Sequence, residues 1–228
     1  ALGDSVLKGI EESIDEVLAA ADALNIDPTR DDRLLVDAEL RDGTRVVETV
    51  VGRCADLSPG PALLTCSRVS PKRRIAACLD LVSLVATDPV TNWRSVVVGR
   101  AERGAGIATL ELVARGETPA ARRLLATEAL EVAVDCYRRG MREPIPLFSS
   151  FSYKLHKGTA GEGDWQPYEG HGDGDDEANR LALGELTLTE LYALRARDED
   201  PPGSAGERAL RFAHYLWAAM DAGTEETG

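Results

Sequence analysis

The side chains with reactive potential in this chain are few and poorly grouped. Three histidines, His156, His171 and His214, lie far apart. Their surroundings place the first two in loops and the third among apolar residues of a helix. Four cysteines, Cys54, Cys66, Cys78 and Cys136, form no C-x-x-C pair and have no histidine cluster nearby, so zinc-site spacing is missing. Buried free thiols in a reducing compartment are the expectation, with no metal and no cofactor. The segment "GRAERGAG" resembles a phosphate-binding glycine loop but lacks the following Lys-Ser/Thr, and reads as a hairpin turn. Lys72-Arg73-Arg74 opens a helix, where cations oppose the dipole. That small penalty points either to an acidic or phosphate partner or to a solvated face.

Whatever these residues do, a substantial folded frame must position them. The chain has 228 residues, 43% hydrophobic and 29% charged, enough for one large domain or two small ones. No apolar run approaches a membrane span of roughly 20 residues, and no basic-then-apolar leader is present. A cytoplasmic protein away from membranes is expected. Because the first residue is Ala1 within a helix-like pattern, the chain reads as a fragment or a processed form. The net charge of −13 argues against a free-standing nucleic-acid binder. The acid is peripheral: residues 1–31 hold two basic and eight acidic residues, and residues 160–207 hold three and thirteen. Residues 32–159, with nineteen basic and fifteen acidic, are mildly positive.

Periodicity supplies the elements. Val6, Leu7, Ile10, Ile14, Val17, Leu18, Ala21 and Leu24 predict a helix over 4–24, capped by Asp4 or Ser5 and stopped at Asp27-Pro28. Strands follow near 33–40 and 44–51 around Asp42-Gly43, with a third near 61–68 after "LSPGP". Ser70 and Pro71 open a helix over 71–87 with an apolar stripe. Strands near 93–101 and 106–114 precede a helix over 119–139, begun at Thr118-Pro119. Arg138 and Arg139 suit that helix's C-terminus, Gly140 can take a left-handed cap, and Pro144 and Pro146 force extended chain. "HKGTAGEGDWQPYEGHGDGDDEAN" reads as loop, "LALGELTLTELYALRAR" as helix or strand, and 208–220 as a last helix. One central mixed sheet with flanking helices is expected, in an α/β arrangement. Residues 1–150 would form this core and 151–228 an extension packing on it.

Helix, three strands, helix, two strands and helix is also the order of the restriction-endonuclease-like, PD-(D/E)XK-type nucleases. Their chemistry needs an Asp on the second strand, then an acidic residue and a Lys on the third. The carboxylates hold a divalent cation, and the Lys orients or activates water. In this chain Gly52-Arg53-Cys54-Ala55 puts Ala55 at the first position. Leu64-Thr65-Cys66-Ser67 puts Thr65 and Ser67 at the others. All three are neutral. Asp56 and Arg68 each lie one residue further on, which on a strand means the opposite face. A bulge would be needed to recover Asp56, and no second carboxylate lies near Thr65. The site reads as degenerate.

"TCSRVSPKRRIAACLDLVSLVATDP", "NWRSVVVGRA" and "YRRGMREPIPLF" together resemble the C-terminal domain of RecC, the gamma subunit of exodeoxyribonuclease V. Ser67, Arg68, Pro71, Arg74, Trp93, Gly99, Arg100, Gly140, Arg142, Glu143, Pro144, Pro146, Leu147 and Phe148 carry the match. Cys66 stands where that family usually has Tyr, and Ser149-Ser150-Phe151-Ser152 where it tends towards P-K-T-S. The resemblance implies a nuclease-like fold without a catalytic site. It implies a scaffold role within the RecBCD helicase–nuclease, contacting RecD, RecB and the DNA path during repair. Lys72, Arg73, Arg74, Arg100, Arg142, Leu147 and Phe148 are then the candidate contacts to DNA or partner. Two other readings stay open: a metal-dependent exonuclease with an unconventional site, and an interaction module that never touches DNA.

Overall fold

The computed structural model describes residues 2–27, 32–52, 60–102, 104, 106–166 and 172–227. In chain order the elements are α1 (Leu2–Ala23), β1 (Asp32–Glu39), β2 (Arg45–Gly52), β3 (Ala62–Arg68), α2 (Pro71–Thr87), β4 (Arg94–Arg100) and β5 (Ile107–Ala114). Then come α3 (Pro119–Gly140), α4 (Phe151–His156), α5 (Glu162–Trp165), α6 (Glu177–Leu183), α7 (Leu188–Ala193), α8 (Arg208–Gly223) and β6 (Thr224–Glu226). Two compact units result. The first is Ala1–Leu130 with Ala222–Gly228, and the second is Glu131–Asp221. Among the described residues no helix is long and apolar enough to cross a membrane.

The first unit is α/β, with a mixed four-stranded sheet ordered β3-β4-β5-β6. β3 runs parallel to β4 with α2 as the crossover, and the other pairs are antiparallel. Parallel neighbours need such a long connection. α1 covers one face through Val17 and Ala21, which pack with Ala62, Val96 and Val98. α2 packs on β4 and β5. Covered on both sides, β4 is buried from Ser95 to Gly99, which is why its sequence is continuously apolar rather than alternating.

The five expected strands form, but not in one sheet. β1 and β2 make a separate antiparallel hairpin, and among the described residues no ladder joins it to β3. The reason lies in its apolar positions. Leu34, Val36, Val46 and Val50 fall on one face and pack with Leu84 of α2 and Trp93. The hairpin's inner face is thus satisfied by a helix. β6 was not expected either, because "TEE" carries no apolar alternation.

Terminations also differ from expectation. α1 begins at Leu2, ahead of the expected cap. It ends in a Schellman motif before Asp27: Asn25 takes φ 55°, with Ile26 N–H donating to Ala21 O and Asn25 N–H to Asp22 O. Gly140 stays helical, and α3 closes with Met141 N–H on Tyr137 O. Ser70 does occupy the N-cap of α2, but its side chain makes no capping bond.

In the second unit α5 and the start of α6 fall in the segment expected to be loop, and "LALGELTLTELYALRAR" takes its helical alternative in α6 and α7. α7 carries a reciprocal capping box, Thr187 with Glu190, a T-x-x-E signature that is legible in sequence. Its core gathers Phe148, Phe151, Leu155, Trp165, Leu188, Leu191, Ala209 and Ala213. The aromatic trio is close: Phe148 and Phe151 lie 4.8 and 5.2 Å from Trp165, ring to ring. Trp165 Nε1 donates to Leu186 O at 2.8 Å.

Candidate functional site

Of the three nuclease-template positions, Thr65 and Ser67 lie on β3, and Ala55 with Asp56 falls outside the described residues. The β3–β4 register shifts between Leu64 and Arg68. Within that irregularity Ser67 N–H donates to the Thr65 hydroxyl at 3.1 Å. The hydroxyl therefore serves its own backbone. The shifted chain also presses on β4: a Cβ at Gly99 would meet Ser67 O at 2.6 Å and Thr65 Cγ2 at 3.0 Å. Only glycine fits, which gives the G-R of "VVVGRA" a steric reason. Among the described residues no group of three or more His, Cys, Asp or Glu could hold a metal ion.

The basic candidates separate into different environments. Arg68 and Arg100 are partners at the end of the parallel ladder, and both are exposed. They line a cavity of about 330 Å³ whose other wall is Glu12, Ser13 and Glu16 of α1. An entering phosphate would meet charges of both signs there, so the pair is a weak phosphate site by itself. Lys72 is exposed. Arg73 lines a small cavity with Asp80 and Ser95. Burial, helped by the charge of Glu48, pushes the Asp80 carboxyl up to about 6. Arg74 is committed elsewhere, donating to Glu226 of β6 at 2.5 Å.

In the second unit "REPIPLF" is anchored at Glu143, Pro146 and Phe148. Glu143 accepts from Arg208 at 2.7 Å and from Arg197 at 2.9 Å. Arg208 also pairs with buried Asp200 at 3.0 Å. Pro146 and Phe148 are buried, Leu147 is half-buried, and Arg142 and Met141 point outward. Phe148 N–H donates to the hydroxyl of fully buried Ser152. Asp173, from the segment expected to be loop, caps α4 by accepting from the backbone N–H groups of Ser150 and Phe151. Arg142, the one charged contact candidate in this unit, is exposed.

The remaining reactive groups do not assemble into a catalytic set. His156 belongs to α4 rather than a loop, and its ring stands 5.3 Å from that of His214, which is exposed rather than apolar-packed. Burial opposes charge on Asp221, but hydrogen bonds from Lys157 and His156 outweigh it and hold the carboxyl below its ordinary value. His171 and Cys54 fall outside the described residues. Cys78 and Cys136 are buried as expected, whereas Cys66 is exposed. Burial and the neighbouring Asp135 push the Cys136 thiol up to about 12, far from a reactive thiolate.

The family model of the RecC C-terminal domain matches residues 1–159. The chain belongs to the RecC C-terminal domain family. No curated protein matches it. The matched interval holds both family segments with a structural explanation here, Gly99-Arg100 and Arg142 to Phe148. It stops inside the second unit, however. Phe148 and Phe151 lie within it, while Trp165, Leu188, Leu191, Ala209 and Ala213, which complete their core, lie beyond. In this RecC C-terminal domain the family motif is finished by residues outside the family match.

Proposed function

We propose that this chain is the non-catalytic C-terminal part of a RecC subunit, acting as a scaffold within RecBCD. Its place there is to contact RecD and the DNA path while the assembly unwinds and resects double-strand ends for repair in the cytoplasm. The core is read as a restriction-endonuclease-like fold whose site has degenerated. The observation that supports this reading is on β3, where Ser67 N–H donates to the Thr65 hydroxyl at 3.1 Å; in the nuclease template these two neutral residues stand where a carboxylate and a Lys would be needed. Neutral hydroxyls bring neither the negative charge of a carboxylate ligand nor a water-activating cation. The family match supports the assembly context.

The anchored "REPIPLF" segment fits a structural role rather than a chemical one. Its acid is matched by Arg208 and Arg197, and its aromatic ring is spent on the core. Incubating the purified chain with labelled linear duplex and magnesium or manganese should give no cleavage. Cleavage that disappears in Asp56→Ala would defeat the reading in favour of a recovered metal site. Co-purification with RecB and RecD tests the assembly role separately: failure to assemble would remove the scaffold even if no cleavage is seen.

A further inference from the structure

Helix α1 carries a longer apolar seam than its own unit covers. Leu7, Ile10, Ile14, Val17, Ala21 and Leu24 recur at alternating spacings of three and four residues, the pattern by which one helix lies along another. The C-terminal half of the seam is used: Val17 and Ala21 are buried, and with Leu24 they pack on the sheet. The N-terminal half is not. Leu7, Ile10 and Ile14 are 60%, 49% and 40% exposed, and Leu18 beside them is 41% exposed. Single exposed apolar side chains need no explanation, but four on adjoining turns make a contiguous stripe.

Charge narrows what can cover it. Glu11 and Asp15 border the stripe and are exposed, and residues 2–27 hold one basic and seven acidic residues. A second copy of this chain would bring the same acids against these, and an anionic lipid surface would be repelled in the same way. Acids beside an apolar seam select Lys or Arg at the facing positions of a partner helix. We propose that the N-terminal half of α1 docks a basic amphipathic helix of a partner protein, one whose Leu, Ile or Val stripe is edged by Lys or Arg. This rests on α1 alone and does not depend on the nuclease-like reading.

Two synthetic helical peptides of about three heptads test it, both with Leu at the seam positions, one flanked by Lys and the other by Glu. Each is titrated against the whole chain by fluorescence anisotropy. The Lys-flanked peptide should bind, and the Glu-flanked one at least roughly tenfold more weakly. Ile10→Asp with Ile14→Asp should weaken the Lys-flanked peptide at least roughly tenfold, with far-UV circular dichroism unchanged because both sites are exposed. Glu11→Lys with Asp15→Lys should reverse the preference between the peptides, a result that loss of helix would not produce. Equal binding of both, binding of neither, or binding indifferent to Ile10 and Ile14 overturns the proposal. So does sedimentation showing a dimer that dissociates on the two Asp substitutions, since the occupant is then a second copy.

Discussion

The two units hold their family residues by opposite means. In the first, Gly99-Arg100 is held by what is absent: the missing Cβ lets β3 lie within 2.6 Å of where a side chain would begin. In the second, Glu143 to Phe148 is held by what is present, two ion pairs to Glu143 and three packed aromatic rings. The lesson concerns reading charged and polar residues in such a motif. Arg and Glu in "REPIPLF" look alike as charged residues in a linear sequence, yet Arg142 is exposed while the partly exposed Glu143 is engaged by Arg197 and Arg208. Thr65 and Ser67 look inert and are simply local backbone partners.

The sharpest test of this contrast is Phe148→Ala. Removing a buried aromatic ring from a filled core costs about 3–5 kcal/mol. The loss should appear in urea unfolding followed through Trp165, whose ring sits 4.8 Å away. A cost below about 1 kcal/mol would mean the ring is not integral to that core. Next comes Asp200→Ala. Asp200 is buried beneath Arg208, and stripping one partner from a buried pair costs about 3–5 kcal/mol. Here the effect should fall near the lower end, because Glu143 still neutralises Arg208. Glu143 is more exposed than Asp200, so Glu143→Ala should cost less.

On the other side of the comparison, Gly99→Ala should destabilise by about 1–3 kcal/mol, the usual range for overpacking. The clash is with backbone oxygen, not with the end of a flexible side chain. The diagnostic is location: Trp93, in the first unit, should report the transition shift. If Gly99→Ala is neutral, the close approach of β3 to β4 is not what holds the G-R dipeptide.

Much of this was legible in sequence, and the gaps have physical causes. Helices such as 71–87 and strands such as 107–114 follow from periodicity, because their patterns are local. The partition into two sheets is not local: it depends on whether Val36 and Val50 meet a helix or another strand, and they meet Leu84. The same holds for Asp173, whose capping of α4 spans more than twenty residues. Thr187 and Glu190 were missed despite a visible signature, since "LTLTELY" also alternates like a strand. Of the candidate contacts, sequence proximity grouped Lys72, Arg73 and Arg74, while tertiary pairing separates them.

Asp80 offers a pH-dependent contrast with the well-paired acids of the second unit. Burial, helped by the charge of Glu48, pushes its carboxyl up to about 6, well above the usual range of an Asp. A raised carboxyl favours folding while protonated, so its stabilisation is full below about 4 and is lost as pH rises through about 6. Above that, a partly buried carboxylate without a full partner remains. Asp80→Asn should therefore match the wild type near pH 4 and exceed it at pH 7 and above by about 1–2 kcal/mol, with residual solvent access screening the effect. Equal stability of the two proteins at both pH values would show that the cavity beneath α2 solvates the charge.

The smallest effect separates neighbours in the basic cluster. Arg74→Ala breaks a partly exposed ion pair to Glu226, worth about 0.2–1 kcal/mol, and loosens β6, whose ladder on β5 is only three residues long. Lys72→Ala removes an exposed charge with no ion partner among the described residues, so stability should hold within about 0.5 kcal/mol. The order reverses for DNA. Binding to duplex should be weak against a net charge of −13, and it should fall steeply with salt as phosphate counterions compete. What remains at low salt should drop more for Lys72→Ala than for Arg74→Ala, because Arg74 already spends its charge on Glu226. Hydrogen exchange at β6, read beside a salt titration of a labelled duplex, checks both halves. If Arg74→Ala leaves β6 protected yet abolishes low-salt binding, the cluster acts as one electrostatic face, and the division between fold-holding and solvent-facing cations in the first unit fails.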